Sequence, residues 1–277
     1  MIRTTGYPRR APMREAELRT AVLAESNLWS DLRVVASTGS TNEDLLAAAR
    51  IGRPAGSVLV AEEQTNGRGR LGRSWVSKPG AALTFSVLMR PVAVPQAARG
   101  WLPLLAGVAV AGGIRAETGL DVSLKWPNDV LASGRSDGTG KLAGILAEQA
   151  GEAIVVGIGL NVEASPDDLP LATATSLAEL GAARTDREAL LTAILRELEL
   201  WYLRWADGDS PGDVVASGLR AQYLRSCGTV GKEVRVEVPG GGVVSGRACD
   251  VDSVGRLLVS TGDGVEPVSA GDVIHVR

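Results

Sequence analysis

The sequence predicts an α+β protein in which a large domain of mixed helices and strands is followed by a small β-barrel. At 277 residues, the chain exceeds the about 100 to 200 residues of one ordinary domain, so a large and a small domain together fit its length. Helix and strand signals alternate as far as residue 226, whereas short valine-rich runs split by glycines follow Cys227. We therefore divide the chain into an arm with a short helix (1–30), a large domain (31–226) and a barrel (227–277).

Two capping boxes mark the start of helices in the large domain. Ser40 followed by Glu43 forms the first, and Thr185 followed by Glu188 forms the second, ahead of a segment with a strongly apolar face. Apolar runs between these helices predict strands. In chain order we predict an unstructured arm at 1–12, a helix at 15–28, strands at 32–36 and 57–61 on either side of the first capped helix, a glycine- and arginine-rich loop at 66–73, a strand at 83–89, a buried helix at 96–118, and strands at 122–126, 141–149 and 153–161, with a flexible hairpin loop at 134–140.

The segment after Cys227 has the pattern of a small barrel. From Gly228 onward, five basic residues stand against seven acidic ones. An RNA-binding barrel needs a positive surface, so this balance disfavours one. The β runs that predict the barrel lie at 234–238, 243–251, 257–259 and 273–276.

Composition excludes several classes of function. The net charge of −3 gives no general field that would attract nucleic acid. The two cysteines, Cys227 and Cys249, form no CxxC pair, so a zinc site or a disulfide scaffold is disfavoured. The single histidine, His275, lies close to the end of the chain. Triads and zinc sites built on histidine are therefore disfavoured too.

The sequence also carries no targeting signal that we recognise. Arginines occur in the first 15 residues, but no apolar core of a signal peptide follows them. The longest apolar run, at 101–114, is interrupted by Pro103 and glycines and is shorter than the roughly 20 residues that cross a bilayer. We expect a cytoplasmic protein without a membrane partner.

Rare residue types fall where ligands usually bind. The chain has four lysines against 25 arginines, and five asparagines. A lysine kept in such a chain indicates a need for a compact point charge. Strand ends and loops are where α/β proteins place ligands. The residues that lie in or beside glycine- or turn-rich segments near strand ends are Asn42, Asn66, Lys125, Asn128, Lys141 and Asn161.

The loop Gly67-Arg68-Gly69-Arg70-Leu71-Gly72-Arg73 combines backbone that can approach a ligand closely with three positive charges. A solvated turn or an RGG-type nucleic-acid segment is the alternative. Because the loop lies between two predicted strands and not in a low-complexity tail, an ordered anion-binding loop is favoured. Two familiar phosphate motifs fail: a P-loop ending at Lys141 would need glycine at Arg135, and a dinucleotide fingerprint would need glycine at Val162.

The segment Lys125-Trp126-Pro127-Asn128-Asp129-Val130 places a cation, an aromatic ring, an amide and a carboxylate within one turn after a strand. Asp129 could hold Mg²⁺ or a proton, and Asn128 could contact an adenine edge. A purely structural turn is the alternative. The segments 141–146 (KLAGIL) and 157–162 (GIGLNV) are each compatible with plain β structure, but all four segments together predict one pocket.

These motifs resemble those of the biotin protein ligases, also called biotin–[acetyl-CoA-carboxylase] ligases. The resemblance covers residues 34–277 and rests on Ser40-Thr41-Asn42, Gln64 through Arg73, KWPNDV, KLAGIL and GIGLNV in the family's order. It implies a mixed sheet with helices, related to class II aminoacyl-tRNA synthetases, followed by an SH3-like barrel. The DNA-binding module of some members has no counterpart in the sequence, which implies a monofunctional form.

The resemblance also implies roles for individual residues. Lys141, Asp129 and Arg70 correspond to the family's catalytic residues, and Asp129 is also the candidate metal ligand. Asn128, Asn161 and Arg68 correspond to its nucleotide contacts. The residues implied to bind biotin are Ser40, Thr41, Asn42, Gln64, Arg68, Gly69, Arg70, Trp126 and Lys141. Trp126 is equally compatible with a buried core position. Lys141 follows Asp129 by twelve residues, a longer spacing than we expect for this family, which leaves the hairpin geometry open.

The activity implied is the ATP- and Mg²⁺-dependent conversion of biotin to biotinyl-5'-AMP, followed by transfer of biotin to a lysine of a biotin carboxyl carrier protein or of the carrier domain of an acyl-CoA or pyruvate carboxylase. No nucleic-acid or membrane partner is expected. A lipoate or octanoate ligase is the nearest alternative, but its RRxxGG-type loop is absent, since the one Arg-Arg pair is Arg9-Arg10. A DNA-bound regulator or metabolite sensor is the alternative from another class.

Overall fold

The order of helices and strands follows the predicted patterns over most of the chain. The computed structural model describes residues 11–133, 140–169, 171 and 173–276. In chain order its elements are α1 (Glu15–Leu23), β1 (Asp31–Val35), α2 (Thr41–Arg50), β2 (Ser57–Ala61), β3 (Ala82–Met89), α3 (Leu102–Thr118), β4 (Val122–Lys125), β5 (Asp129–Ala132), β6 (Lys141–Ala150), β7 (Ala153–Asn161), α4 (Arg187–Ala206), α5 (Leu219–Ser226), β8 (Glu233–Glu237), β9 (Val243–Val251), β10 (Leu257–Thr261), β11 (Gly264–Val268) and β12 (Asp272–His275). Short 3-10 helices occur at Arg70–Gly72, Gln96–Trp101 and Pro166–Asp168.

Seven strands form a mixed sheet in the order β1-β2-β3-β7-β6-β5-β4. β1 and β2 are parallel, and the other neighbouring pairs are antiparallel. β3 is buried along its whole length because helices cover both faces of the sheet. α3 and α4 pack together over one face, and α2 packs on β2, β3 and β7 with a separate small apolar cluster. The ends of β4 to β7 and the start of α2 are thereby held around one opening.

The packing of α3 on α4 depends on a glycine. A Cβ on Gly113 would lie 2.8 Å from the backbone nitrogen of Ile194. No side chain fits at that distance, so glycine lets the two helices approach this closely.

Five strands form a second, antiparallel sheet in the order β11-β10-β9-β8-β12. Two tryptophans of the large domain donate hydrogen bonds to its β9–β10 turn: Trp101 Nε1 to the Asp252 carbonyl and Trp126 Nε1 to the Gly255 carbonyl, both at 3.0 Å. The backbone nitrogen of Gly228 donates to the Leu124 carbonyl at 2.7 Å. The two sheets are therefore held together by directed contacts, and the division at residue 227 stays a prediction.

Two predicted elements, the first helix and the hairpin before β6, differ from the structure. The first helix ends at Leu23 and not at 28, because Ser26 Oγ accepts from the backbone nitrogen of Trp29 at 2.7 Å and turns the chain so that Trp29 enters the core. The hairpin predicted around 134–140 is two hairpins, since β5 pairs with both β4 and β6. β5 has four residues directly after a turn, which is too short for a periodic signal. Residues 134–139 and the predicted arm at 1–10 lie outside the described residues.

The predicted caps are corrected as well. Asp186, not Thr185, is the N-cap of α4, and its carboxylate accepts from the backbone nitrogens of Glu188 at 2.8 Å and Ala189 at 3.3 Å. The Thr185 hydroxyl donates to Glu163 at 2.6 Å. A carboxylate satisfies helix N–H groups as well as a hydroxyl does, so the choice between neighbours depends on the path of the chain.

Half of the first predicted capping box is present. Ser40 Oγ accepts from the Glu43 nitrogen at 3.5 Å, whereas the Glu43 carboxylate turns outward to Arg68 at 3.0 Å. In the small sheet, the sequence missed β11. This strand lies at the edge, contains Pro267 and is mostly exposed, so it lacks the apolar alternation of a buried strand.

One helical stretch is longer than the apolar run in the sequence suggests. Gln96–Thr118, of 23 residues, is long and apolar enough to cross a membrane by length and composition alone, and 67% of its most apolar window is buried inside the protein. It includes α3, which lies under the large sheet and against α4. The prediction of a buried core helix at 96–118 is confirmed, and the expectation that no apolar stretch reaches this length is wrong.

Candidate active site

A cavity of about 880 Å³ lies between the ends of β4 to β7, the loop at 66–73 and the edge strand β12. A pocket of this size accommodates a ligand as large as a nucleotide conjugate. Its two ends differ in chemistry. We call the end at the start of α2 the neutral end, and the end around Arg70, Lys125, Asp129 and Lys141 the cationic end.

Amides and hydroxyls form a connected network at the neutral end. Gln64 Oε1 accepts from the Thr41 backbone nitrogen at 2.8 Å and from Thr41 Oγ1 at 2.9 Å. Thr41 Oγ1 lies 2.7 Å from Ser86 Oγ, which donates to Asn42 Oδ1 at 2.6 Å. Ser40 supplies the helix cap beneath this network. Because Gln64 Oε1 is fixed by Thr41, the Gln64 amide N–H groups are left to meet a ligand; they make no hydrogen bond with the described part of the chain.

A glycine in β7 makes room for this network. A Cβ on Gly157 would lie 2.9 Å from Asn42 Cγ. Asn42 Nδ2 also donates to Glu148 at 2.8 Å. The strand glycine therefore marks a close approach of a side chain to backbone, not a bulge.

The loop at 66–73 closes one side of the cavity through three arginines. Arg68 forms ion pairs with Glu43 and Glu148, each at 3.0 Å. Arg73 pairs with Asp272 of the small sheet. Gly69, between them in the chain, lines the cavity. The loop is thus attached to α2, β6 and β12.

Arg70 reaches the cationic end. Its Nη1 donates to Asn128 Oδ1 at 3.1 Å, and no carboxylate of the described residues lies within ion-pair distance. Burial lowers the pKa of Arg70, partly offset by the charges of Asp272 and Asp129. The guanidinium therefore has a neutral partner and incomplete charge compensation.

The cationic end is built around an ion pair between Lys141 Nζ and Asp129 Oδ1 at 2.7 Å. Asp129 begins β5 and lies opposite Gly144 of β6. A Cβ on Gly144 would lie 3.5 Å from Lys141 Nζ, so the lysine side chain passes along this glycine to reach the carboxylate. Their side chains are 25% and 20% exposed, which leaves the pair open to an incoming ligand.

The two asparagines predicted to contact adenine are held by backbone carbonyls. Asn128 Nδ2 donates to Ile145 at 3.0 Å. Asn161, which is 6% exposed, donates to the carbonyls of Thr175 at 3.0 Å and Lys141 at 3.4 Å. Both asparagines line the cavity. Their side-chain N–H groups hold the neighbouring backbone in place, so a ligand would contact the parts of the amides that these hydrogen bonds leave open.

Trp126 is both a lining residue and a core residue. It is 1% exposed. Its backbone nitrogen donates a hydrogen bond to Thr229 Oγ1, at the start of the small domain, at 3.1 Å. Trp126 is therefore at once a core residue and a lining residue, and its indole also joins the two sheets through the hydrogen bond to the Gly255 carbonyl.

Comparisons with known proteins agree with this geometry. Residues 34–164 match the model of the biotin/lipoate A/B protein ligase family, and residues 229–276 match the biotin protein ligase C-terminal domain. A biotin–[acetyl-CoA-carboxylase] ligase of Mycobacterium tuberculosis is 46% identical over 276 residues, which cover 97% of each chain. The chain belongs to the biotin/lipoate A/B protein ligase family.

Other members of the family match over most of their length. The bifunctional ligase/repressor BirA of Bacillus spizizenii is 33% identical over 264 residues, which cover 92% of this chain and 76% of that protein. The biotin protein ligase of Aquifex aeolicus, solved in complex with biotin and ATP, superposes with a TM-score of 0.74 at 28% identity and covers 90% of this chain and 100% of that one. The predicted α+β class, with a mixed sheet and a C-terminal antiparallel sheet, is confirmed.

The sequence did not single out Trp75, which lines the ligase cavity. Trp75 lies over β7: a Cβ on Gly159 would be 2.7 Å from Trp75 Nε1, so only glycine admits the indole there. Its Nε1 is buried and has no hydrogen-bond partner in the described part of the chain. Lys125, which the sequence singled out as a rare lysine near a strand end without giving it a role, lines the cationic end opposite Asp129. The signal for Trp75 was Gly159, which we interpreted as plain β structure.

The remaining candidate chemistry of the ligase is limited. No group of three or more His, Cys, Asp or Glu side chains that could hold a metal ion occurs among the described residues. His275 lies on β12, with Nε2 3.3 Å from Thr229 Oγ1. Burial and the charges of Lys232 and Lys125 lower the pKa of His275 to about 4. Its neutral imidazole is a structural group that contacts Thr229 at the start of the small domain.

Proposed function

We propose that this protein converts biotin and ATP to biotinyl-5'-AMP and pyrophosphate and then transfers the biotinyl group to a specific lysine of a biotin carboxyl carrier protein. The observation that carries the proposal is the cavity with one neutral and one cationic end. Biotin itself has a neutral cyclic urea at one end and a carboxylate at the other. The name of the Mycobacterium tuberculosis relative points to a carboxylase as the owner of the carrier.

The urea of biotin binds at the neutral end. A urea offers one acceptor and two donors, and hydrogen-bonding groups of both kinds line this end: the Gln64 amide, the Thr41 hydroxyl and the Asn42 amide. Ser40 holds α2 in place so that these groups converge. Discrimination is strong at such a site because an analogue without the urea leaves buried polar groups unpaired.

Adenylation takes place at the cationic end. A carboxylate oxygen of biotin attacks the α-phosphorus of ATP, the bond to the β-phosphate breaks, and pyrophosphate leaves with the electron pair. Both reactants are anions, so the main task of the protein is to bring them together and neutralise them. Lys141 and Arg70 line the meeting point, and Arg68 with Gly69 covers it from the loop.

The nucleoside lies beyond the reacting phosphate. The indole of Trp75 offers an aromatic face on the side of Gly159 and Gly144, and the amides of Asn128 and Asn161 lie near. Flat aromatic faces and amide groups are the usual partners of a purine base.

Mg²⁺ fits this site as an ion held chiefly by substrate. The cationic end offers the carboxylate of Asp129, already paired with Lys141, and not a full protein cage. Mg²⁺ in nucleotide sites is commonly bound by one or two carboxylates together with phosphates and water. Asp129 would hold it, and the ion would add positive charge at the phosphates.

Transfer to the carrier uses the same residues. The amine of the carrier lysine attacks the acyl carbon of biotinyl-5'-AMP, an amide bond forms, and AMP leaves with the electrons of the broken C–O bond. Asp129 orients the amine and receives its proton, since it is the carboxylate at the cationic end next to Lys141. We place this reaction in the cytoplasm, without nucleic-acid or membrane partners.

The test is to incubate the protein with Mg²⁺-ATP, a purified carrier domain and either biotin or lipoate. We expect biotin-dependent release of pyrophosphate and a mass shift of the carrier by one biotinyl group. Modification with lipoate instead would assign the lipoate branch of the family. No modification, combined with retention of DNA in a mobility-shift assay at low salt, would favour a regulator.

A further inference from the structure

The charged side chains that line the cavity are paired unevenly. Arg68, Arg73 and Lys141 each have a carboxylate within ion-pair distance. Lys125 has none among the described residues, and it makes no hydrogen bond to them. Its cross-strand neighbour in the β4–β5 hairpin is Asp129, whose carboxylate is already engaged by Lys141.

Lys125 is held in an environment that disfavours its charge. Burial lowers the pKa of Lys125, and the charges of Lys141 and Arg73 lower it further, against the opposing effect of Asp129 and Asp272. A partly buried cation without a partner is costly in the empty protein. An anion that pairs with the Lys125 ammonium would relieve that cost.

The position of Lys125 relative to the reaction is defined by its neighbours. The pair of Lys141 and Asp129, where the carboxylate of biotin meets the α-phosphate, and the pair of Arg73 and Asp272 of β12 both lie close enough to act on the charge of Lys125. The neutral end of the cavity is remote from this place, at the start of α2. What extends from the α-phosphate away from biotin is the pair of β- and γ-phosphates.

We infer that Lys125 binds the β- and γ-phosphates of ATP and stabilises the pyrophosphate leaving group. The inference rests on the proposed function. It assigns Lys125 to the adenylation step, in which negative charge accumulates on the leaving group as the bond to the α-phosphorus breaks. The transfer step involves no polyphosphate, so Lys125 has no part in it, whereas Lys141 acts in both.

The experiment compares the two half-reactions of the full-length protein. Lys125→Met removes the charge and keeps the length of the side chain, Lys125→Arg keeps the charge, and Lys232→Met is a matched lysine variant outside the cavity. Forward adenylation is followed by release of pyrophosphate, the reverse reaction by formation of ATP from biotinyl-5'-AMP and added pyrophosphate, and transfer by biotinylation of a carrier domain from preformed biotinyl-5'-AMP.

We expect Lys125→Met to lower kcat/KM for ATP by about 10- to 100-fold, the range for loss of one hydrogen bond to a charged group. The KM for pyrophosphate rises in the reverse reaction, and transfer stays within about twofold of the unmodified protein. The thermal midpoint stays equal or rises, because an unpaired cation is removed. Lys125→Arg recovers part of the pyrophosphate affinity, and Lys232→Met resembles the unmodified protein.

An unchanged KM for pyrophosphate in Lys125→Met would overturn the inference, as would an equal loss in the transfer step, which would assign Lys125 to the attacking amine of the carrier. Equal deficits in Lys125→Met and Lys125→Arg would overturn it as well, since charge would then not be the cause. If the unmodified protein itself makes no ATP from biotinyl-5'-AMP and pyrophosphate, the proposed function fails, not the assignment of Lys125.

Discussion

Replacing Lys141 by alanine separates what its charge contributes to the reaction from what it contributes to the fold. In the folded protein Lys141 Nζ lies 2.7 Å from Asp129 Oδ1, and the two side chains are 25% and 20% exposed. Removal of the lysine leaves a carboxylate that water can reach in part, so the cost to folding is about 1 to 2 kcal/mol.

The cost to adenylation is larger, because the negative phosphate and the carboxylate of biotin lose the positive charge that neutralises both of them. Loss of one preorganised electrostatic donor typically costs about 3 to 4 kcal/mol in the transition state. We therefore expect Lys141→Ala to slow adenylation on the order of 100- to 1000-fold, more than its loss of stability would suggest. Lys141→Arg should rescue it incompletely, since a planar guanidinium does not replace a compact ammonium beside Gly144.

The assay is release of pyrophosphate with biotin and Mg²⁺-ATP, together with a urea melt of each variant. Asp129→Asn is combined with Lys141→Ala to remove the unpaired carboxylate. The double variant should recover most of the lost stability and little of the lost rate. Near-normal turnover in Lys141→Ala, or recovery of the rate in the double variant, would refute the view that the lysine charge acts on the reacting anions.

Three further predictions follow from the geometry. Gly159→Ala places a Cβ 2.7 Å from Trp75 Nε1 and should displace the indole. We expect a changed tryptophan emission spectrum and a raised KM for ATP, whereas an unchanged spectrum would show that β7 shifts instead. Asp186→Ala removes the N-cap of α4 and should lower the free energy of unfolding by about 1 kcal/mol, with Ser210→Ala as a surface control in the same denaturant series. Folding lowers the pKa of His275 from 6.5 to about 4, so between these pH values the unfolded chain binds more protons, and the free energy of unfolding falls as the pH drops from 6.5 to 4. In His275→Asn the free energy of unfolding should fall less steeply over this range and should match that of the unmodified protein above about pH 7. Identical slopes in the two proteins would contradict this assignment.

The sequence predicted the parts of the fold that have a long periodic or capped signal. α2, the helix at 96–118 and the strands at 57–61 and 153–161 are of this kind, since their patterns report burial directly. β5 and β11 were missed because one has four residues after a turn and the other is an exposed edge strand with a proline. Neither strand has an alternation of apolar and polar residues, so the apolar pattern of the sequence could not reveal them.

For the site, rare lysines and asparagines in turn-rich segments predicted which segments converge, and the structure brings them around one cavity. What the sequence could not predict is which groups are already engaged. Asn161 and Asn128 donate hydrogen bonds to backbone carbonyls, and Lys141 pairs with Asp129. The sequence pattern does not give these pairings, because they depend on the register of β5 and β6. Trp75 was missed for the same reason: its contact with Gly159 joins two segments 84 positions apart in the chain.

The hydrogen bonds from Trp126 to the small sheet bear on how such a protein can be engineered. The turn that carries Asn128 and Asp129 is supported from behind by Thr229 and by the Gly255 carbonyl. A graft that exchanged the C-terminal barrel for another one would therefore also remove two hydrogen-bond partners that support this turn of the candidate site. Chimeras of this ligase should keep residues 229 and 252–255 from the same parent as residues 125–129, whatever the rest of the barrel becomes.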